Sequence, residues 1–214
     1  MKYIKKSEEP QSLTEWNQQR SKNIPNWKNF DRDVKNDVFY SLLKEQGFIC
    51  CYCGSLIARR ECHIEHFKPK SIYPNLTYEY NNLIASCQGE DEKRPRVPIH
   101  CGHKKGNWYD DELMVSPLDK NCLDFFKYSG SGEIIPTDKQ DKQLVAETTI
   151  KKLALNINKL TKMRRQAINA ILLDIEDLSR EEIKLLIEAY EKPDKYGSLI
   201  PFSATITYIL KQYF

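Results

Sequence analysis

The chain has 214 residues, 40% of them hydrophobic, enough for one substantial core or one core with a small appended subdomain. Its 33 Lys and Arg against 30 Asp and Glu leave a net charge of +3, so overall charge makes no case for nucleic-acid binding and any such surface must come from local clusters. No apolar run approaches the ~18 residues of a membrane helix, and the start of the chain continues into polar sequence rather than an apolar signal core, so a soluble, cytoplasmic protein is expected.

In chain order, residues 1–30 read as an N-terminal arm with one short helix over 13–20, broken up by Pro10 and Pro25. Its Trp16 and Trp27 serve either to dock a partner or to wrap the arm onto its own domain. Over 31–46, Val34, Val38, Phe39, Leu42 and Leu43 recur at helical spacing, with Asp31 placed to cap the start and Gly47 to end it. Residues 48–58 read as a strand, a tight cysteine turn and a returning strand, the hairpin called a zinc knuckle.

Seven cysteines is an odd number, and most sit beside histidines at ligand spacing, which favours metal over disulfides. Cys50 and Cys53 are separated by two residues, a turn that aims both sulfurs at one tetrahedral ion. Cys87 and Cys101 supply the other two thiolates, although the loop between them is long. Cys51, Cys62 and Cys122 are the cysteines left out of the site. Between the pairs, Cys62, Ile64 and Phe67 alternate with His63, Glu65 and His66, which predicts a short strand whose polar side chains emerge at its end, before a turn at Pro69. Glu65, His66 and the returning His103 are positioned to converge on one hard cation and one water.

These residues carry a resemblance. Cys-x-Tyr-Cys-Gly from Cys50, Ile-Glu-His-Phe-x-Pro-Lys from Ile64, Asn-Asn-Leu-x-x-x-Cys from Asn81 and Cys-Gly-His-Lys-Lys-Gly from Cys101 resemble the HNH endonuclease motif, and more narrowly the PtuB-type nucleases of Septu and retron-associated antiphage systems. The resemblance spans about residues 50–107. It implies an α+β fold with a ββα-metal core, a zinc knuckle held by structural Zn²⁺, and a catalytic divalent ion. It makes His66 the general base, Glu65 a metal ligand where relatives often carry Asp, Asn82 the residue that fixes the intervening loop, and His103 the final ligand on the core helix. The usual final histidine directly follows the last cysteine; here Gly102 intervenes. That register leaves Asn107 and His63 as further candidate ligands, and Asn81 as an alternative to Asn82. The family also implies partners: a PtuA-type SMC- or ABC-like ATPase and, in retron-linked members, a reverse transcriptase with its RNA and DNA.

The chemistry agrees with that reading. Phosphodiester cleavage needs a nucleophilic water, charge neutralisation on the phosphoryl oxygens and help for the departing oxygen. An imidazole such as His66, with an ordinary pKa of ~6.5, accepts a proton from water at neutral pH. Carboxylate with imidazole makes Mg²⁺ or Mn²⁺ the expected ion on Glu65 and His103. Lys68, Lys70, Lys93, Arg94, Arg96, Lys104 and Lys105 form the local basic density for phosphate contact. The competing reading is a noncatalytic zinc-knuckle adaptor for nucleic acid or protein, but Glu65-His66 together with His103 has no purpose in a purely structural module.

Beyond the nuclease segment, residues 108–136 read as irregular packing around a short hairpin turned by Gly130-Ser131-Gly132. The last third reads as helical. Helices are expected over 139–153 and 159–178, broken between Asn156 and Asn158. A third opens at the capping box Ser179-Arg180-Glu181-Glu182 and runs to 189, and a last covers 201–213. The basic residues Lys151, Lys152, Lys159, Lys162, Arg164 and Arg165 read as a charged solvent face, with tracking of nucleic-acid backbone as the competing reading. The expected division is an arm (1–30), a nuclease core with its zinc site (31–136), and a helical region packed on the core (137–214).

Overall fold

A computed structural model describes residues 1–19, 27–58, 61–89, 98–175 and 177–213. Helix α1 (Gln11–Gln19) and helix α2 (Arg32–Glu45) pack together beneath the nuclease segment. Asp31 caps α2 by accepting hydrogen bonds from the backbone N–H groups of Asp33 (2.9 Å) and Val34 (3.0 Å), and the helix buries Val38, Phe39, Leu42 and Leu43. Gly47 ends it in the left-handed conformation (φ 60), which a residue without Cβ adopts at little cost.

Strand β1 (Cys62–His66) pairs antiparallel with β2 (Leu83–Cys87), in a register that sets Cys62 opposite Cys87 and His66 opposite Leu83. All five residues of β2 are buried, so the strand is covered on both faces. Helix α3 (Cys101–Lys105) packs against β2 and completes a ββα unit. On the far side of β2, the buried Gln46 side chain donates to the carbonyls of Ile49 (2.9 Å) and Ala85 (2.8 Å) and accepts from the N–H of Ala85 (2.7 Å).

The expected hairpin over 48–58 forms only one bridge, between Ile49 and Leu56. Its turn is held instead by backbone bonds from Cys50 to Ser55, Gly54 to Cys50 and Ile57 to Phe48, and two full strands would compete with the geometry of a cysteine turn. The arm wraps its own chain. Ile4 donates to the carbonyl of Pro117, Lys6 pairs with Glu45, and Trp16 and Trp27 pack against Phe30 and Tyr78. Position 20, where the first helix was expected to end, lies outside the described residues.

Strands β3 (Phe126–Tyr128) and β4 (Ile134–Pro136) form the short hairpin. The helical half follows as α4 (Gln140–Leu153), α5 (Asn158–Asp174), α6 (Arg180–Glu191) and α7 (Ser203–Leu210). Helix α6 carries the capping box, with Ser179 and Glu182 satisfying each other's backbone N–H groups. Helix α5 is shorter than the expected 159–178, ending at its C-cap Ile175. Helix α4 packs on α3 and β4, which seats this half against the nuclease segment, while Ile171, Ile175, Ile183, Ile187, Ile206 and Leu210 form a second apolar cluster within it.

Arg164 departs from the expected solvent face. It is 1% exposed, and its guanidinium donates to the carbonyls of Gly132 (2.6 Å) and Leu155 (2.7 Å) and to Asn156 Oδ1 (3.1 Å). A buried cation needs such acceptors, and here they tie the hairpin to the start of α5. No helix among the described residues is long and apolar enough to cross a membrane.

Candidate metal centres and active site

Cys50, Cys53, Cys87 and Cys101 are all buried, and their four sulfurs lie within 4.8 Å of one another. A tetrahedral ion with sulfur bonds of ~2.3 Å puts its ligands ~3.8 Å apart, and the Cys53 to Cys87 separation is 3.9 Å. The thiols fit such an ion. The Cys87 N–H donates to the Cys50 sulfur (3.3 Å), an outer contact that orients a thiolate ligand. Burial would raise the Cys50 thiol, but hydrogen bonds from Cys101, Cys51, Cys53 and Cys87 hold it well below its ordinary value, whereas burial and its contact with Cys50 push Cys101 well above. Cys101 enters α3 with a left-handed backbone (φ 55), which costs a non-glycine residue about 1–3 kcal/mol and needs a compensating interaction. Cys51, Cys62 and Cys122 are buried outside the cage; burial pushes Cys62 up to about 12 and Cys122 up to about 11, so both stay thiols.

Two residues beyond Cys101, His103 stands in a second site. A cleft of about 320 Å³ is lined by His63, Glu65, His66, Lys70, His103 and Asn107, among others. The polar side chains of β1 were expected to emerge at its end, and there Glu65 is 8% and His66 6% exposed. Their burial is sustained by partners that the strand pattern does not reveal. Lys105 Nζ lies 2.8 Å from Glu65 Oε1, the Tyr52 hydroxyl 3.4 Å from the same oxygen, and His63 Nε2 3.4 Å from Glu65 Oε2. Burial alone would raise the Glu65 carboxyl, but the His63 hydrogen bond and the Lys105 charge outweigh it and hold the group below its usual value, as a carboxylate.

His66 Nε2 lies 3.0 Å from the Thr77 carbonyl oxygen. A carbonyl only accepts, so Nε2 carries the proton and Nδ1 the lone pair. Trp27 meets the ring edge-on at a centroid distance of 4.5 Å. Burial, with the nearby Lys70 charge, pushes the His66 pKa down to about 4, which keeps the ring neutral at physiological pH. Asn82 is buried and closes a loop: Oδ1 accepts from Lys68 N–H (2.8 Å), and Nδ2 donates to the carbonyls of Lys68 (3.0 Å) and Leu76 (3.1 Å). Asn81 is exposed and makes none of these bonds. The His103 ring stacks on His63 with centroids 4.4 Å apart, and Asn107 lines the same cleft.

Of the lysines expected at phosphate, Lys70 and Lys104 are exposed, and Lys68 is bound to Asp111 (2.9 Å) beside the ring of Tyr109. Lys105 is not available: it is 3% exposed and also donates to the His66 carbonyl (3.1 Å), because on a helix the residue after an outward Lys104 turns toward the core. Lys93, Arg94 and Arg96 lie outside the described residues. Sequence reasoning gave no role to Thr77 and placed Trp27 in the arm rather than against His66. The i, i+2 spacing of His63 and Glu65 on one face of β1 was the available signal for that pair.

An HNH endonuclease family model matches residues 50–89, which hold three of the four cysteines and Glu65, His66 and Asn82. The retron Vc95 protein of Vibrio cholerae serotype O1 biovar El Tor, named for an HNH endonuclease, is 32% identical over 145 residues, covering 65% of this chain and 67% of that protein. The Septu protein PtuB of Bacillus thuringiensis is 29% identical over 123 residues, 54% of this chain but only 40% of that relative's length. With the ββα unit, the cysteine cage and the cleft in place, these matches identify the chain as a member of the HNH endonuclease family.

Proposed function

We propose that this HNH endonuclease is divalent-metal-dependent, cuts phosphodiester bonds in nucleic acid, and acts as the effector of an antiphage defence system together with an ATPase. The observation that carries the reading is an ionised carboxylate, Glu65, next to a neutral histidine of fixed tautomer, His66, in one cleft with His103. The four thiols suit structural Zn²⁺, and the carboxylate with imidazole suits Mg²⁺ or Mn²⁺. Glu65 and His103 would hold the divalent ion, which would supply charge neutralisation for the phosphoryl group and its leaving oxygen.

The chain's own groups do the rest. His66 Nδ1 takes a proton from the attacking water while the Thr77 carbonyl keeps Nε2 protonated and the ring aimed. As the water oxygen bonds to phosphorus, the bond to the 3′ oxygen breaks, and that oxygen takes a proton from solvent. His63 and Lys105 keep Glu65 ionised, the Tyr52 hydroxyl helps orient it, and Asn82 braces the loop after His66. Lys70 and Lys104 bind flanking phosphates, with Lys68 beside them.

The names of the relatives, a retron protein and a Septu protein, support a PtuA-type SMC- or ABC-like ATPase as partner, joined in a retron setting by a reverse transcriptase and its RNA and DNA. Since Trp16 and Trp27 are occupied within the chain, the helical half is the docking surface, where Leu173 is 80% and Leu185 66% exposed. The test is incubation of the purified chain, alone and with the ATPase, with DNA and RNA pools in Mg²⁺ or Mn²⁺. Cleavage should appear, vanish in His66→Ala by about 10²- to 10⁴-fold, and leave folding and zinc content unchanged. A His66→Ala protein that cuts at the normal rate removes His66 as the base. Copurification should survive His66→Ala and fail in Leu173→Asp/Leu185→Asp.

A further inference from the structure

We infer that His63 is a third protein ligand of the divalent ion in the cleft, beside Glu65 and His103, and that this nitrogen-rich donor set selects Mn²⁺ and similar first-row ions over Mg²⁺. The inference rests on the nuclease reading but concerns a residue which that reading leaves off the ion.

His63 and Glu65 stand two apart on β1 and so share a face, with Nε2 3.4 Å from Oε2. Two ligand atoms at right angles on an ion with bonds of ~2.1 Å lie ~3 Å apart, so the pair needs almost no adjustment to share one. The other Glu65 oxygen is already taken by Lys105 and Tyr52, which leaves Oε2, the atom facing His63, as the carboxylate's free donor. The imidazole of His103 lies against that of His63, so the third donor comes from the adjacent ring.

One detail separates this from a histidine that merely orients Glu65. Gly102, the residue that breaks the usual cysteine-histidine adjacency, has its backbone against the pair. A Cβ there would sit 2.7 Å from His63 Nε2 and 2.8 Å from Glu65 Oε2, so a glycine is required for α3 to approach them. Imidazole donors favour first-row transition ions, while Mg²⁺ prefers oxygen donors and retains its waters.

The experiment uses the full chain with its cysteine site loaded with zinc, so that added ions report on the cleft. Mn²⁺ binding is followed by EPR and calorimetry, with Mg²⁺ as competitor, in wild type, His63→Ala and His63→Gln, each checked for zinc content and thermal unfolding. Mn²⁺ affinity should fall at least tenfold in both variants, and Mg²⁺ affinity much less. Unchanged Mn²⁺ affinity in a folded variant overturns the inference. Pulsed EPR of Mn²⁺ bound to the wild-type chain is independent of any variant's folding: coupling to two imidazoles is expected, and coupling to one or none overturns the assignment. Mn²⁺ bound through a single imidazole, with cleavage intact, removes His63 alone and leaves the nuclease reading standing. Absence of both binding and cleavage removes both.

Discussion

The cysteine cage and the His63–Glu65 cleft are joined by α3, with Cys101 in one and His103 in the other, yet they are built oppositely. The cage is closed: four sulfurs from three separate segments face each other, and all four residues are buried. The cleft is open on one side, and its charged groups are held by hydrogen bonds rather than by packing. A closed thiolate set spends its binding free energy on the fold, whereas an open oxygen and imidazole set keeps positions for water and substrate. One short helix therefore makes the precision of the reactive site depend on the integrity of the structural one.

The strongest way to break this contrast is at the cage. Cys53→Ser or Cys101→Ser should remove a site worth about 10 kcal/mol of metal binding coupled to folding, and the chain should lose zinc and its cooperative unfolding transition together. A folded, zinc-free Cys101→Ser protein would mean that the thiols are not what holds α3. EDTA at modest concentration should stop cleavage well before it removes zinc from the buried sulfurs.

Next in size is Lys105→Ala. It strands the buried Glu65 carboxylate without its cation and should cost about 3–5 kcal/mol in denaturant unfolding, while the adjacent Lys104→Ala should be nearly silent in the same measurement. Equal effects would erase the distinction between an inward and an outward lysine.

A pH series sharpens the cleft further. His66 titrates at an ordinary 6.5 when unfolded and at about 4 when folded, so between these values the unfolded chain binds the extra proton. Stability should therefore fall as pH drops through that window, and His66→Gln should flatten the fall. An identical acid profile in the variant would show that the ring is not held neutral by burial.

The smallest effects belong to the exposed cations. Lys70→Ala and Lys104→Ala should each weaken nucleic-acid binding about equally across sequences and reduce its salt dependence by about one unit of slope, without altering unfolding.

Much of this was legible from spacing. The two cysteine pairs, the Asp31 cap, the Ser179 capping box and the strand through Glu65 all follow from residue type and interval. The burial of charge was less so. Arg164 reads as part of a basic face until it is set beside Leu160, Ile168 and Ile171, whose intervals of four, four and three place it in the apolar stripe of α5. Lys104 and Lys105 are indistinguishable by type, and only the turn of α3 decides which one meets Glu65. Trp27 meets His66 across nearly forty residues of chain, a contact no local pattern encodes.

The Gln46 amide bears on how the small sheet keeps its edge closed. A two-stranded sheet leaves its outer strand with unpaired backbone groups that invite another chain to add on. At Ala85 the side chain of Gln46 offers both a donor and an acceptor in the arrangement of a peptide unit, and the N–H of Cys51 takes up the same carbonyl. The middle of that edge is thus closed by one residue from the end of a helix. Gln46→Leu should leave the buried Ala85 N–H unmet, and the expected consequence is a loss of about 1–3 kcal/mol in denaturant unfolding with the zinc content unchanged.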